Sequence, residues 1–377
     1  MRSPTRHAAA FISMTLFAGA VFAAAPSASP PLDPALLAGL EARSIGPAGM
    51  SGRVAAIDAV ESDPKTVYVG AATGGVWKSI NSGLSWTPVF DDQPVAAVGA
   101  IAIFQANPAI VWVGTGESWT RNSTSYGDGL YKTTDGGDSW QKLGLENSER
   151  IARIAINPKN TDTVWVCATG RLWSSGEERG VFKTTDGGKT WKKTLYVDAD
   201  TGCSDITVDP QDPRILYAGT WRFRRTAWSF SSGGKGSGLW KSLDGGETWK
   251  PLTMGLPAGE KGRVAVAVAP SRPSVVYALV ESEKTALYRS DDAGATWEWK
   301  NDAFNLQVRP FYFAYLVVDP KDFDTIYKPG LSLTFSQDGG KTFSAGGFGG
   351  GPHSDHHALW IDPRDPKNLV LGTDGGV

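Results

Sequence analysis

The chain has 377 residues and a formal net charge of −2, from 37 basic and 39 acidic side chains, so no global positive field exists to attract nucleic acid or an anionic membrane. Its 45 Gly and 23 Pro stand above the ~12% of an average protein and below the roughly 25–30% of low-complexity chains, which excludes collagen and disorder. With 15 Trp, 15 Phe and 10 Tyr against 4 Met, many aromatics must pack against many turns, the composition of an all-β protein.

Arg2 and Arg6 precede an apolar stretch from Ala8 to Ala20, and Val21-Phe22-Ala23 supplies the small residues a signal peptidase needs. The Ala-rich stretch falls short of the ~20 residues that span a bilayer. Residues 1–23 are therefore expected to be a signal peptide and the protein secreted or periplasmic, with no membrane partner. Residues 24–40, rich in Ala, Pro and Ser, read as a flexible leader, and 41–377 as the folded domain. Cys167 and Cys203 are too few for a disulfide scaffold and have no zinc spacing. Export permits one bridge between them, and two separate buried thiols are the alternative.

From residue 53 onward one unit recurs: an apolar strand, a turn with one or two prolines, a Val-Tyr-Val-Gly type strand, a loop, then a hairpin. The second strands are anchored at Tyr68, Trp112, Trp165, Tyr217, Tyr277, Tyr327 and Val370. In the hairpins, Asn81, Asp135, Asp186, Asp244, Asp292 and Asp338 each have Ser or Thr two residues before and Gly two after. Each hairpin closes on Trp86, Trp140, Trp191, Trp249, Trp297 or Phe343. A short Asx side chain bonds the backbone of a tight turn, Gly accepts positive φ, and the aromatic packs between sheets.

Ser/Thr-x-Asp-x-Gly-x-Thr-Trp, as in Thr184 to Trp191, resembles the Asp-box or BNR repeat, and the resemblance covers residues 45–377. Asp-boxes occur in sialidases, twin-propeller xyloglucan-cleaving endoglucanases, sortilin-type receptors and photosystem II assembly factors. The chain looks most like the amino-terminal part of secreted bacterial proteins of the sortilin-like or BNR-repeat glycosyl hydrolase kind. The resemblance implies an all-β, seven-bladed β-propeller of Asp-box repeats whose seventh blade is incomplete at the carboxy terminus, because Leu369 to Val377 aligns with Val67 to Val76 and no Asp-box follows. A strand near Ala42 to Ile45 is a candidate to help close the ring. Relatives of this kind run longer, so a further carboxy-terminal region is expected.

The Asp-boxes fall on the turns between third and fourth strands, away from the face that carries the loops between second and third strands. Those loops lengthen in units two to four, at residues 115–129, 168–180 and 218–238. They offer Glu117, Trp119, Arg121, Trp173, Trp221, Arg224 and Trp228, with Glu177, Glu178 and Arg225 nearby. Trp faces stack on sugars or peptide side chains and Arg forks onto carboxylates. On the same face the first strands start with Arg53, Arg153, Asp205, Arg263, Asp355, His356 and His357. The expected ligand-binding set is thus Arg53, Glu117, Trp119, Arg121, Arg153, Trp173, Trp221, Arg224, Trp228, Arg263, His356 and His357, with no metal, no cofactor and no nucleic acid.

Two functions follow. The first is an exported binding module that holds a glycan or peptide on the loop face. The alternative is a glycoside hydrolase of the twin-propeller endoglucanase type, with this chain as its amino-terminal propeller. No motif pairs two carboxyls for glycoside hydrolysis, and Gly-x-Ser-x-Gly is absent from the sequence.

Overall fold

Small and apolar residues in Val54–Ala59 and Val67–Ala71, joined through the Pro64 turn, form an antiparallel pair, and Val76–Ser79 and Thr87–Pro88 extend it in chain order. Five further repeats build the same four-stranded sheet. Their first strands are Val98–Ile103, Ile151–Asn157, Thr201–Val208, Val264–Val268 and Val317–Val318. In blade 4 the second strand, Leu216–Arg225, runs past the blade and pairs with an additional strand, Phe230–Ser232. The structure, a computed structural model, describes Asp33, Leu36 and residues 53–345 and 351–377. The segment read as a signal peptide, most of the leader and the strand expected near Ala42 to Ile45 lie outside the described residues. Residues 47–377 form one unit; of the other, residues 1–46, only Asp33 and Leu36 are described.

The fold is an all-β propeller with six four-stranded blades, where seven were expected. The last repeat is a two-stranded sheet, His356–Ile361 paired with Leu369–Thr373. Residues 374–377 supply no third and fourth strands for it. This hairpin still packs on both neighbours: Leu359, Ile361 and Leu369 meet Leu333 and Tyr327 of blade 6, while Ala358, Trp360 and Val370 meet Val54 and Val67 of blade 1. Between the other blades the same kind of layer recurs, for example Trp112 and Leu143 against Ile154 and Val164. The first strands surround the axis, with Ala56, Ile101, Ala152, Ser204 and Ala358 lining one narrow central cavity.

Cys167 on the second strand of blade 3 and Cys203 on the first strand of blade 4 are joined by a disulfide, their Cα atoms 5.1 Å apart. Of the two alternatives left by the sequence, the bridge is the one observed.

Each Asp-box satisfies itself. Thr184 Oγ1 donates to Asp186 Oδ1 at 2.7 Å and accepts from the Gly188 N–H at 3.0 Å, while Asp186 accepts from the Thr190 N–H at 3.0 Å and hydroxyl at 2.6 Å. Gly188 has φ 97°, a conformation a side chain would strain. The closing Trp191 donates Nε1 to the Leu143 carbonyl of the preceding blade at 2.7 Å, so the box also couples neighbouring blades.

The Thr296 donors hold the Asp292 carboxyl at about 2, and Asp135, Asp186 and Asp244 are held lower still by the hydroxyls and amides at Ser139, Thr190 and Thr248. A depressed carboxyl lets the unfolded chain take up the proton first. The stabilisation is therefore complete above the unfolded value near 4 and is lost as pH falls through the folded values. The urea midpoint is expected to fall steadily from about pH 4 to pH 2; a flat profile over that range would show the boxes to be energetically idle.

Candidate functional site

The loop face is held by charges paired across blades. Arg53, just before the first strand of blade 1, places Nε 2.5 Å from Glu117 Oε1 in the long loop of blade 2. Both are withdrawn from solvent, with side-chain exposures of 10% and 0%. Burial pushes the Glu117 carboxyl up and the charge of Arg53 pulls it part of the way back. Arg53 Nη1 is also 3.8 Å from Asp374 Oδ1, which accepts from His357 Nε2 at 2.7 Å. Burial alone would raise Asp374; the His357 bond and the charges of Arg53 and Arg121 outweigh it and hold the carboxyl down. Burial lowers the His357 ring below its usual value despite Asp374.

Around His357 stand Trp119, Tyr312 and Phe313, at ring distances of 5.4, 5.4 and 5.9 Å. Arg263 is buried between the Trp119 and Trp221 rings, 5.0 and 4.9 Å from their centroids, and donates to the Phe311 carbonyl at 3.0 Å. Burial pushes its guanidinium down to about 10. Arg153 donates to Asp205 at 3.0 Å and lies over the Tyr315 ring. Arg153 and Arg263 line the central cavity of about 30 Å³, room for little more than a water.

Above this layer opens a cavity of about 510 Å³, lined by Thr120, Arg121, Asn122, Ser123, Arg225, Arg309, Phe311, Tyr312, Asp355 and Asp374. Its volume suits a small-ligand site, and we take it as the candidate site. Of the expected ligand-binding set only Arg121 lines it directly, joined by Arg225 and Asp355, which the sequence placed on the same face. Arg53, Glu117, Trp119, Arg263 and His357 form the packed layer described above. His356 is buried beside that layer, donating Nε2 to the His353 carbonyl at 2.9 Å. Arg224 bonds Asp200 and Ser175 on the rim, and its Nη1 donates to the Trp173 carbonyl at 3.3 Å. Trp173 is 45% and Trp228 88% exposed.

Trp221 is a correction. Its ring is fully buried, stacked on Phe223 at 4.3 Å and capped by Arg263, so it offers no face to a ligand. The physical reason is the additional strand Phe230–Ser232, which folds the loop of blade 4 back over it. The carboxylates named by face are also engaged elsewhere: Asp205 with Arg153, Glu177 with Tyr196, and Glu178 with Asn147. Among the described residues no group of three or more His, Cys, Asp or Glu is arranged to hold a metal.

Sequence reasoning missed Arg309, Phe311, Tyr312 and Asp374. The first three lie on the connection between blades 5 and 6, which runs from Glu298–Asn301 to Val317–Val318 and contains the helical turn Phe304–Gln307. That connection is long and carries the aromatic run Phe311-Tyr312-Phe313, a signal that loop length between second and third strands does not register.

Comparison with known proteins agrees with this architecture. A family described as "Sortilin, neurotensin receptor 3" matches residues 128–284. A xyloglucanase of Paenibacillus sp is 28% identical over 190 residues, 43% of this chain and 17% of the relative. The oligoxyloglucan-reducing end-specific xyloglucanase of Emericella nidulans is 25% identical over 266 residues, 57% of this chain and 32% of the relative. The GH74 enzyme of Niastella koreensis has the same fold, with a TM-score of 0.61 at 19% identity over 86% of this chain and 51% of that one. YCF48 bound to D1 peptide gives a TM-score of 0.56 at 15% identity over 86% and 92%. The chain thus resembles sortilin-like and glycosyl hydrolase-like Asp-box propellers, and spans less than a third of the length of these two xyloglucanases. Among the described residues no helix is long and apolar enough to cross a membrane.

Proposed function

We propose that the protein is an exported, glycan-binding propeller of the glycoside hydrolase type related to xyloglucanases, with its ligand seated in the cavity above the central channel. The observation that carries this reading is sequence similarity to xyloglucanases over as much as 57% of the chain. The cavity's chemistry is compatible: Phe311 offers an apolar face to a sugar ring, while Asn122, Ser123, Asp355 and Asp374 offer partners to hydroxyls. Glycoside hydrolysis needs two carboxyls spaced for acid and base or nucleophile work. Asp355 and Asp374 are the carboxylates of this cavity, and Asp374 is tied to His357 and Arg53. We therefore assign binding to these residues and expect the isolated chain to bind without rapid cleavage.

The test is native electrophoresis of the purified chain through gels containing xyloglucan, with reducing-end release measured in parallel. Retardation by xyloglucan with little release is expected. Absence of retardation by xyloglucan, by unbranched β-glucans and by acidic glycans alike would reject the glycan reading. A second reading, peptide binding, draws support from the mixed Arg and Asp lining and from the fold shared with YCF48, which was solved with a D1 peptide.

A further inference from the structure

We propose that the cavity selects a glycan carrying a carboxylate, a hexuronate residue, and that Arg225 and Arg309 hold that group; this rests on the glycan reading above and narrows its ligand class. Around the loop face most arginines already have a carboxylate. Arg53 has Glu117, Arg121 has Asp374 at 3.9 Å, Arg150 and Arg171 share Glu149, Arg153 has Asp205, and Arg222 and Arg224 share Asp200. Arg179 and Arg263 are buried and donate to backbone carbonyls. Among the described residues Arg225 and Arg309 have no carboxylate within 4.0 Å, and both line the 510 Å³ cavity.

Arg225 is held rather than loose. Its guanidinium lies 4.6 Å from the Phe230 centroid, Nη1 donates to Asn122 Oδ1 at 2.5 Å, and Nε is buried with no partner. Burial lowers its pKa, as expected of a cation that lacks a counter-charge. Arg309 is exposed, and among the described residues its side chain makes no bond, yet its backbone is fixed: the Tyr312 and Phe313 amides donate to its carbonyl at 2.8 and 2.9 Å. Its φ is 44°, and that of Asp355, which also lines the cavity, is 63°. Two of the six non-glycine residues with positive φ among the described residues thus line this one cavity, and such backbone conformations cluster at ligand sites.

The Asp355 Oδ1 atom is buried and unpartnered. A uronate suits this lining, its carboxylate forking onto guanidinium and its hydroxyls donating to the part of the Asp355 carboxylate that lines the cavity. A neutral glucan leaves both arginines without a counter-charge.

Isothermal titration at low salt decides the matter, using tri-galacturonate and a glucuronate-substituted xylo-oligosaccharide, each beside its carboxyl-reduced counterpart, with xyloglucan heptasaccharide as the neutral reference. At least one carboxylated probe is expected to bind about tenfold or more tightly than its reduced form. The preference should shrink to within about twofold in Arg225→Gln and Arg309→Gln, while Arg309→Lys retains part of it. Arg309 is exposed, so its variants should melt with the parent. Equal binding of carboxylated and reduced probes, or a preference untouched by both Gln variants, overturns the uronate assignment and leaves the glycan reading standing. Failure of every sugar, xyloglucan included, overturns both, and arginine-dependent capture of an acidic peptide in that case assigns the cavity to peptides.

Discussion

Trp221→Ala is expected to lower the free energy of unfolding by about 3–5 kcal/mol, whereas Trp228→Ala should stay within about 0.5 kcal/mol of the parent. The two residues lie in the same loop region and are the same amino acid, and their surroundings separate them. Trp221 is buried against Phe223, Phe230 and Arg263, and its Nε1 donates to Ser232 Oγ at 2.9 Å. Ser232 in turn donates to Glu281 at 2.7 Å, which accepts the Arg263 amide at 2.6 Å. Truncation would open a cavity under the additional strand and loosen its tie to blade 5. Any loss of ligand binding in Trp221→Ala should therefore track the unfolded fraction, and binding measured on the folded fraction should change little. Urea unfolding of both variants checks the contrast; a parental midpoint for Trp221→Ala would show that the loop is not packed as described.

That contrast marks the boundary of what the sequence discloses. The Asp-box is legible because all its bonds close within a few residues, as from Thr184 to Thr190. Strand order follows from the same local regularity. The incompleteness of the last repeat is legible too, since no Asp-box follows Leu369 to Val377; counted as a blade it gives seven, whereas six four-stranded sheets form and the last repeat is a two-stranded hairpin. The loop face was located, but not the division of labour on it. Trp119 and Trp228 look alike in a loop, yet one packs on His357 and the other is exposed. Tyr312 lies between blades 5 and 6 and Asp374 directly follows the last two-stranded sheet, and both meet the blade 2 loop only when the ring is formed. Arg309 and Asp355 become informative through their backbone angles, which composition and spacing do not encode.

The ion pair beneath the cavity should be the other costly site: Glu117→Ala is expected to destabilise the fold by about 3–5 kcal/mol, because removing one partner of a buried pair leaves the other charged and poorly solvated. Glu117 is fully buried and Arg53 is nearly so, so water does not readily replace the carboxylate. With Glu117 gone, the nearest remaining counter-charge of Arg53 is Asp374 at 3.8 Å, already bonded to His357 and 3.9 Å from Arg121. The double variant Arg53→Met/Glu117→Leu should recover much of the loss, since apolar replacements of similar volume remove both desolvation penalties together. A double-mutant cycle by urea unfolding isolates the coupling. Strong coupling with recovery in the double variant would identify the pair as the support on which Asp374, and with it the cavity floor, is positioned. A loss of under about 1 kcal/mol for Glu117→Ala, the range of exposed pairs, would mean that solvent reaches Arg53 and that the cavity floor stands without it.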